Sequence, residues 1–484
     1  MEKIATVMND SQKGSVKCIL RAVIFLLFLS LGAAGIYDVI RWKDTSAPYF
    51  SSMDQMYDLP AEIIDVAFFG PSTMFSGANP AVFWEESGIA SFNAAISGQD
   101  REAAYYYIKE FTKRQSPKVV VVAGMLFQID HYEVQGNIYR NTLSMHNSGN
   151  FVDVVNAVAP ANDKTGTNTV WDYYLRWPII HSRYKEIEKR DFVADHAYEN
   201  NLGYTYGYEG NGYEPSPVYF NSEIISEISD ENREWVNRLL QLSREKGFEL
   251  LFVQLPGHLE SWQRADMNGN FKYLDELGIK YIDLNFHVEE MGYDYVDDMS
   301  DAFHPKTTGA YKISEYLCKY LNNNFSLEDK RGRAGYELFD KAVEVSNHEK
   351  LSRQLADCDD LAQMFELIGN GEGLVYSITL RGGTAGVAEE TSSILKEYVK
   401  GRDLWISGGT AVFNDGLVTE ILGEKAYSAK LNESEYLYVK PLRNGDENWD
   451  EVHYGSNFGN FESGNFIIVY DTVLDKLVVS REFF

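Results

Sequence analysis

Apolar runs that resemble strands alternate with helix-like stretches between residues 63 and 321, and this alternation constrains the fold more than any other feature. The predicted strands are 63–69 (IIDVAFF), 90–96 (ASFNAAI), 118–123 (KVVVVA), 249–254 (ELLFVQ) and 280–284, and helices are predicted over 101–114, 231–246 and 308–321. A continuous apolar run such as KVVVVA is typical of a strand covered on both faces. Strands separated by helices form parallel sheets. The sequence therefore predicts an α/β fold with a doubly wound parallel sheet.

Residues 131–230 interrupt this alternation, and they are too many for a plain loop. The interval is rich in tryptophan and tyrosine, for example Trp171 and Trp177. We expect it to be an insertion packed over the carboxyl ends of the strands, the edge at which such sheets bind ligands.

The chain changes character after a polar stretch at residues 325–350. Short β-like runs at 374–380, 403–406, 466–470 and 477–480 are separated by glycine-rich turns. This texture predicts a separate β-rich α+β domain over residues 350–484.

Residues 18–40 form an apolar segment whose charge-free part runs from Ala22 to Tyr37. About 20 residues of helix cross the hydrocarbon layer of a bilayer. Four basic residues precede the charge-free part, so the positive-inside rule predicts a cytoplasmic segment 1–17, a transmembrane anchor 18–40 and an extracytoplasmic remainder of the chain. A cleaved signal peptide and a buried soluble helix are the alternatives.

Charge and cysteine content exclude several classes of function. The 72 acidic residues against 44 basic ones give a formal net charge of -28, and such a chain repels phosphate backbones, so no nucleic-acid partner is expected. The three cysteines, Cys18, Cys318 and Cys358, form neither a disulfide framework nor a zinc pattern. We predict no metal site and no cofactor.

Ser72 is the first candidate for chemistry, because it follows the predicted strand 63–69 in the sequence Gly70-Pro71-Ser72-Thr73. A serine in a strand-to-helix turn is exposed at the carboxyl edge of the sheet and attacks a carbonyl if a base is near. The alternative is a helix N-cap, a position that serine favours on local grounds.

Two further segments follow strands or open a helix. Gly98 ends the sequence NAAISG after the second strand, where a glycine lets a backbone N–H approach an oxyanion; an ordinary turn is the alternative. Asp301 and His304 lie in DAFHP, directly before the last helix. A carboxylate at this spacing can hold one imidazole nitrogen and leave the other free as a base toward serine, although a solvated surface turn would have the same sequence. The other histidines lack such a partner at this spacing.

Together these segments resemble the SGNH, or GDSL-like, hydrolase superfamily over residues 60–323. The resemblance implies a three-layer α/β/α fold and a triad of Ser72, His304 and Asp301. It also implies an oxyanion hole that includes Gly98. The first block reads GPST rather than GDS, and no Asn follows KVVVVA, so the hole is expected to use the backbone N–H groups of Ser72 and Gly98.

These departures are similar to the membrane-anchored DltD and AlgX/AlgJ type of SGNH protein, which acts on cell-surface polymers. The stretch Pro80–Ile89 followed by Asn93, and HSRY at 181–184, resemble that group, whereas Lys306 stands where such proteins often have Asn. Residues 374–484 resemble the interleukin-like EMT inducer domain through Gly464-Asn465 before a strand that ends in Val-Tyr-Asp. That second resemblance implies a glycan-binding role, and a purely structural appendage is the alternative.

The resemblances imply an extracytoplasmic, membrane-anchored enzyme of acyl transfer that acts on a cell-surface or secreted polysaccharide through an acyl-serine. An esterase and a carbohydrate O-acetyltransferase would use the same triad, and the family favours transfer beside a membrane-bound O-acyltransferase partner. The alternative is a non-catalytic glycan-binding or scaffold component of a polysaccharide modification or export complex, in which tyrosines stack on sugar rings.

Overall fold

A computed structural model of the chain describes residues 10–41, 51–128, 135–162, 168–187, 189–192, 201–206, 210–214, 223–380, 409–414, 417–422, 427–430, 436–440, 451–454, 457–460 and 465–483. The chain divides into two compact units, Met1–Tyr336 and Glu337–Phe484.

The helices of the first unit are α1 (Asp10–Ile40), α2 (Ser51–Asp58), α3 (Ser72–Gly77), α4 (Pro80–Ser87), α5 (Arg101–Phe111), α6 (Gln135–Leu143), α7 (Gly149–Asn162), α8 (Val170–Leu175), α9 (Trp177–Ile180), α10 (Asp230–Lys246), α11 (Ser261–Leu277), α12 (Val288–Met291), α13 (Tyr295–Asp298) and α14 (Thr307–Asn324). Its strands are β1 (Val66–Phe69), β2 (Ser91–Asn93), β3 (Val119–Ala123), β4 (Glu249–Gln254) and β5 (Lys280–Asp283). Helices α15 (Glu337–Asp357) and α16 (Leu361–Ile368) open the second unit.

The strands of the first unit form one parallel sheet in the order β2-β1-β3-β4-β5. All residues of β1 and β3 are buried. Helix α14 contacts α3 and α4, and α5 contacts α7 and α10. The predicted doubly wound parallel sheet is therefore confirmed. Because parallel strands point the same way, the turns that follow β1, β2, β3 and β4 meet at one edge.

The strands agree closely with the apolar runs of the sequence, and the differences lie at their ends. Strand β4 has the predicted bounds, whereas β2 covers only Ser91–Asn93 of the predicted 90–96. The amides of Ala94 and Ile96 instead donate to the carbonyls of Phe68 and Gly70, at 2.8 and 3.0 Å. The end of the apolar run is therefore a turn that is hydrogen-bonded to the turn after β1.

Hydrogen bonds join the interval 131–230 to the carboxyl edge of the sheet. The amide of Asn93 donates to the carbonyl of Leu202 at 2.9 Å, and the amide of Thr205 donates to the carbonyl of Phe75 at 3.1 Å. The Asn141 side chain donates to the Gly98 carbonyl at 2.5 Å. Described parts of this interval thus lie against the loops that carry Ser72 and Gly98.

Within helix α1, Lys17–Ile40 is long and apolar enough to cross a membrane, and its most apolar stretch is not buried by the protein, whereas Ile40 at its end is buried. A transmembrane anchor and a signal peptide can both have this length and composition. The carboxyl end of α1 is tied to the first unit, because the Arg183 guanidinium donates to the carbonyl of Arg41 at 2.7 Å and also contacts Asp191. The HSRY sequence thus contributes an arginine that holds the end of the apolar helix.

In its described residues, the second unit combines two helices with two antiparallel sheets. The remaining strands are β6 (Leu374–Leu380), β7 (Gly409–Asn414), β8 (Leu417–Leu422), β9 (Tyr427–Lys430), β10 (Tyr436–Lys440), β11 (Glu451–Tyr454), β12 (Asn457–Asn460), β13 (Asn465–Asp471) and β14 (Lys476–Phe483). They pair in the orders β14-β13-β6-β7-β8 and β12-β11-β10-β9. The predicted α+β character is confirmed, and the predicted strand at 403–406 lies outside the described residues.

The second unit begins at Glu337, earlier than the start predicted at residue 350. The polar stretch 325–350 contains the first two-thirds of α15. This helix carries many charged residues, but it also has an apolar face. Phe339, Ala342 and Val345 on that face are buried. A helix with one buried face is polar on average, so this stretch has the composition of a boundary although it opens the second unit.

Candidate active site

Ser72 is positioned by a close approach between two parallel strands. The chain leaves β1 at Phe69, turns through Gly70 and Pro71, and enters α3 at Ser72. A Cβ atom on Gly70 would lie 2.5 Å from the Cβ of Ala123, the last residue of β3. Only glycine fits there without moving β3. The turn therefore places Ser72 directly beyond the carboxyl end of β1.

His304 is presented by a short loop that closes on itself. The amide of Ser300 donates to the carbonyl of His304 at 2.8 Å. The Asp301 carboxylate accepts hydrogen bonds from the amides of Phe303 and His304, at 2.8 and 2.9 Å. These bonds fix the aspartate within its own turn, and Thr307 then begins α14.

The structure brings the three predicted triad residues together. His304 Nε2 lies 2.8 Å from Ser72 Oγ, and His304 Nδ1 lies 2.9 Å from Asp301 Oδ2. The carboxylate only accepts hydrogen bonds, so Nδ1 carries a proton and the neutral imidazole offers Nε2 as the acceptor for the serine hydroxyl. The arrangement can take a proton from Ser72.

The pKa of the Asp301 carboxyl is lowered. Partial burial alone would raise it, but hydrogen bonds from the Phe303 amide, the His304 ring and the His304 amide stabilise the ionised form and outweigh burial. The carboxylate thus stays ionised at neutral pH and can accept a hydrogen bond from Nδ1 of His304.

Gly98 lies in the turn after β2 with φ +69°, and a Cβ there would lie 2.3 Å from Asn137 Cγ. The position therefore requires glycine for both backbone and contact reasons. Asn93 is buried and donates to the carbonyls of Met74 and Ala78, so it holds the carboxyl end of α3. The Asn93 side chain therefore stabilises the segment that follows Ser72.

A small pocket opens beside the triad, with a cavity volume of about 10 Å³, room for a single water. Its lining residues lie at the ends of β3 and β4, in the segments that follow β1, β3 and β4, or in the loop that carries His304: Thr73, Ala123, Met125, Val253, Gln254, Leu255, Pro256, Gly257, His258 and Phe303. Met125 lies in the segment after β3, where the sequence has no Asn that could donate to an oxyanion. The wall at this point is therefore a thioether rather than an amide donor.

His258 is a residue that the spacing analysis missed. Its Nε2 lies 3.0 Å from Glu260 Oε1, and its Nδ1 is hydrogen-bonded to the hydroxyl of Tyr213. The Asp-x-x-His spacing does not mark His258, because its acid follows two residues later and its tyrosine partner comes from the interval 131–230. The available signal was position, since His258 follows the buried strand β4 at the edge where ligands bind.

No protein-family model matches this chain, and no curated protein does. Among solved structures, a protein from Desulfitobacterium hafniense assigned to the G-D-S-L lipolytic family is 11% identical, with a TM-score of 0.27 over 52% of this chain and 97% of that one. A protein from Bacteroides fragilis assigned as an acylhydrolase is 13% identical, with a TM-score of 0.28 over 56% and 93%. An acetyl xylan esterase from the rumen bacterium Butyrivibrio proteoclasticus is 8% identical, with a TM-score of 0.23 over 55% and 65%.

Proposed function

We propose that this protein is a serine acyl-transfer enzyme, an esterase or a carbohydrate O-acyltransferase, with Ser72 as nucleophile. The observation that carries the proposal is the hydrogen-bonded series from Ser72 Oγ through both nitrogens of His304 to Asp301. Its members lie at the carboxyl edge of a parallel sheet, where such enzymes act. The oxyanion hole is assigned to the backbone N–H groups of Ser72 and Gly98.

The first half-reaction forms an acyl-serine. Ser72 Oγ attacks the carbonyl carbon of an ester while His304 Nε2 takes the serine proton. Asp301 stabilises the resulting imidazolium through Nδ1. The tetrahedral intermediate then collapses, the ester bond breaks, and His304 gives its proton to the departing alcohol.

The second half-reaction runs the same steps backward with a new alcohol or with water. The incoming hydroxyl loses its proton to His304, its oxygen attacks the acyl carbonyl, and the bond to Ser72 Oγ breaks. Ser72 recovers its proton from His304. Water as acceptor makes the protein an esterase, and a sugar hydroxyl makes it an O-acyltransferase.

The proposed substrate is a cell-surface or secreted polysaccharide, and the proposed location is the extracytoplasmic face of the cell membrane. Support comes from Lys17–Ile40, whose 24 residues would reach about 36 Å as a helix. The resemblance to the anchored SGNH group supports transfer and a membrane-bound O-acyltransferase partner. The second unit, which resembles the interleukin-like EMT inducer domain, is proposed to bind glycan.

Labelling with a fluorophosphonate probe tests the nucleophile in the detergent-solubilised full-length protein. We expect Ser72 to be labelled in the wild type and no label in Ser72→Ala. The matched control is Ser76→Ala: Ser76 lies in the same helix and donates to the Ser72 carbonyl at 2.9 Å, and this variant should still be labelled. A folded wild type that takes no label would favour the non-catalytic scaffold.

A further inference from the structure

A group of large apolar side chains is exposed in the interval 131–230, and the mechanism above does not use it. Its members are Trp171, Leu175, Trp177, Tyr184 and Phe192, each between 42 and 70% exposed. The group is called here the aromatic face. Single apolar residues on a surface are ordinary, whereas several at one place mark an interaction surface. Their common position, beside the carboxyl end of α1, follows from the contacts of two arginines.

Leu175 and Trp177 are held close to the end of α1 by the arginine that stands between them in the chain. The Arg176 guanidinium donates to the hydroxyl of Tyr37, in the last turn of α1, at 3.4 Å. Trp171 precedes Leu175 by four positions in α8, so these two side chains lie on the same side of that helix. The aromatic face therefore begins beside the last turn of α1.

Tyr184 and Phe192 are joined to the same end of α1 through a buried ion pair. Arg183, which precedes Tyr184, donates to the carbonyl of Arg41 at 2.7 Å. Its guanidinium also pairs with Asp191, which precedes Phe192, and both charged side chains are buried. A charged pair of this kind has a defined geometry. Tyr184 and Phe192 therefore lie on segments that are fixed against the end of α1.

The position and the composition of the aromatic face both match the interface of a bilayer. The 24 residues of Lys17–Ile40 would reach about 36 Å as a helix and cross a hydrocarbon layer of about 30 Å. The last turn of α1 would then lie at the level of the lipid headgroups. Tryptophan and tyrosine are enriched at this level, because their rings have an apolar body and one polar atom. Lys185 Nζ lies 5.8 Å from the ring centroid of Tyr184, and a lysine so placed can extend to the headgroups.

We propose that the aromatic face inserts into the lipid leaflet at the carboxyl end of α1 and gives the first unit a second contact with the membrane. The inference rests on the proposed membrane anchor and not on the proposed acyl transfer. A lipid bilayer is favoured over a protein partner, because the face adjoins the helix that the bilayer itself would surround. A partner or a second copy of the chain would cover the same rings without bringing them to lipid.

Brominated lipids separate these occupants, because bromine on an acyl chain quenches the fluorescence of a tryptophan that contacts it. The full-length protein is reconstituted into nanodiscs of phosphatidylcholine, either unbrominated or brominated near the headgroup. Trp42 follows α1 closely in the sequence, so every variant also carries Trp42→Phe. The quenched intensity is the fluorescence in unbrominated lipid minus that in brominated lipid. Replacing Trp171 and Trp177 together by Phe should lower this quenched intensity.

The matched control is Trp262→Phe, because Trp262 in α11 is 63% exposed and Trp171 is 70% exposed. The control should lower the total fluorescence and leave the quenched intensity unchanged. A quenched intensity that does not fall when Trp171 and Trp177 are replaced, or that falls equally in the control, would overturn the lipid contact while the anchor stands. A full-length protein that does not enter nanodiscs would overturn the anchor and the aromatic face with it. Fluorophosphonate labelling of Ser72 tests the acyl transfer separately from both.

Discussion

At the scale of single residues, the proposed chemistry depends on a proton transfer across 2.8 Å between Ser72 and His304. Ser72→Ala and His304→Ala should each lower kcat/KM for p-nitrophenyl acetate by about three orders of magnitude or more, with unchanged circular dichroism. Because triad members act as a unit, the double variant should be hardly slower than either single one. Independent, multiplying losses would contradict a shared mechanism.

Asp301→Asn tests the role of the carboxylate separately. An amide can donate to Nδ1 and so favours the wrong tautomer, with the proton on Nε2. We expect a loss of activity comparable to or milder than that of Ser72→Ala, since serine and imidazole remain in place. Turnover of p-nitrophenyl acetate by the purified variant measures it, and unchanged turnover would show that Asp301 does not orient His304.

Gly98 and Gly278 form a matched pair, with φ +69° and +68°. No atom lies within 4 Å of a Cβ on Gly278, whereas one on Gly98 would displace Asn137. Gly278→Ala should lower the free energy of unfolding by about 1 kcal/mol, the cost of a left-handed alanine, and leave ester turnover unchanged. Gly98→Ala should cost more in urea unfolding and also reduce turnover. Equal losses of stability and equal turnover in both variants would show that the turn at Gly98 has no role in the reaction.

At the scale of elements, α15 decides where the second unit begins. A fragment of residues 337–484 should give a cooperative thermal transition. The shorter fragment 350–484 should be far less stable, because it lacks two-thirds of α15 together with the buried side chains of Phe339, Ala342 and Val345, and the loss of buried apolar side chains is destabilising. Circular dichroism on heating measures both. Equal stability would place the boundary at residue 350, as the sequence predicted.

The same helix carries a pH-sensitive contact with β13. His348 Nδ1 lies 2.8 Å from the buried carboxylate of Asp471, and this hydrogen bond raises the pKa of His348, with burial opposing and the charges of Glu344 and Glu372 assisting. A raised pKa means that the contact stabilises the folded state most below the unfolded value of about 6.5. The stabilisation is lost as the pH rises through the folded pKa.

The urea midpoint of fragment 337–484 should therefore fall between about pH 6 and pH 9. His348→Gln should remove most of this fall. His453→Gln is the matched control, since His453 is the fragment's other histidine, and it should retain the fall. A midpoint that rises with pH in the unaltered fragment would show that another group dominates.

At the scale of the whole molecule, the proposed anchor within α1 would set the side of the membrane on which the proposed triad acts. A tag fused after Phe484 should be cleaved by external protease in intact cells, because the basic residues before Ala22 retain the amino terminus in the cytoplasm. A cytoplasmic reporter tag at the amino terminus is the control and should be protected. Protection of the carboxyl-terminal tag would contradict the extracytoplasmic assignment.

Much of the fold was predictable because it depends on local pattern. Strand β4 has its predicted bounds, and β3 lies within KVVVVA, since a continuous apolar run is itself the requirement for a strand buried on both faces. The contact of Asp301 with His304 was also local, a turn closed within three residues. The start of the second unit at α15 was not predicted, because the many charged residues of this helix make its average composition polar although one face is buried.

The sequence by itself determined the α/β class, the apolar amino-terminal helix, and the turns that hold Ser72, Gly98 and His304, because each depends on neighbours within a few positions. Only the tertiary structure decided which of these turns meet. Ser72 and His304 are 232 residues apart, and Tyr213 and His258 are 45 apart. Such contacts follow from the strand order β2-β1-β3-β4-β5, and strand order is set by long-range packing that no local periodicity records.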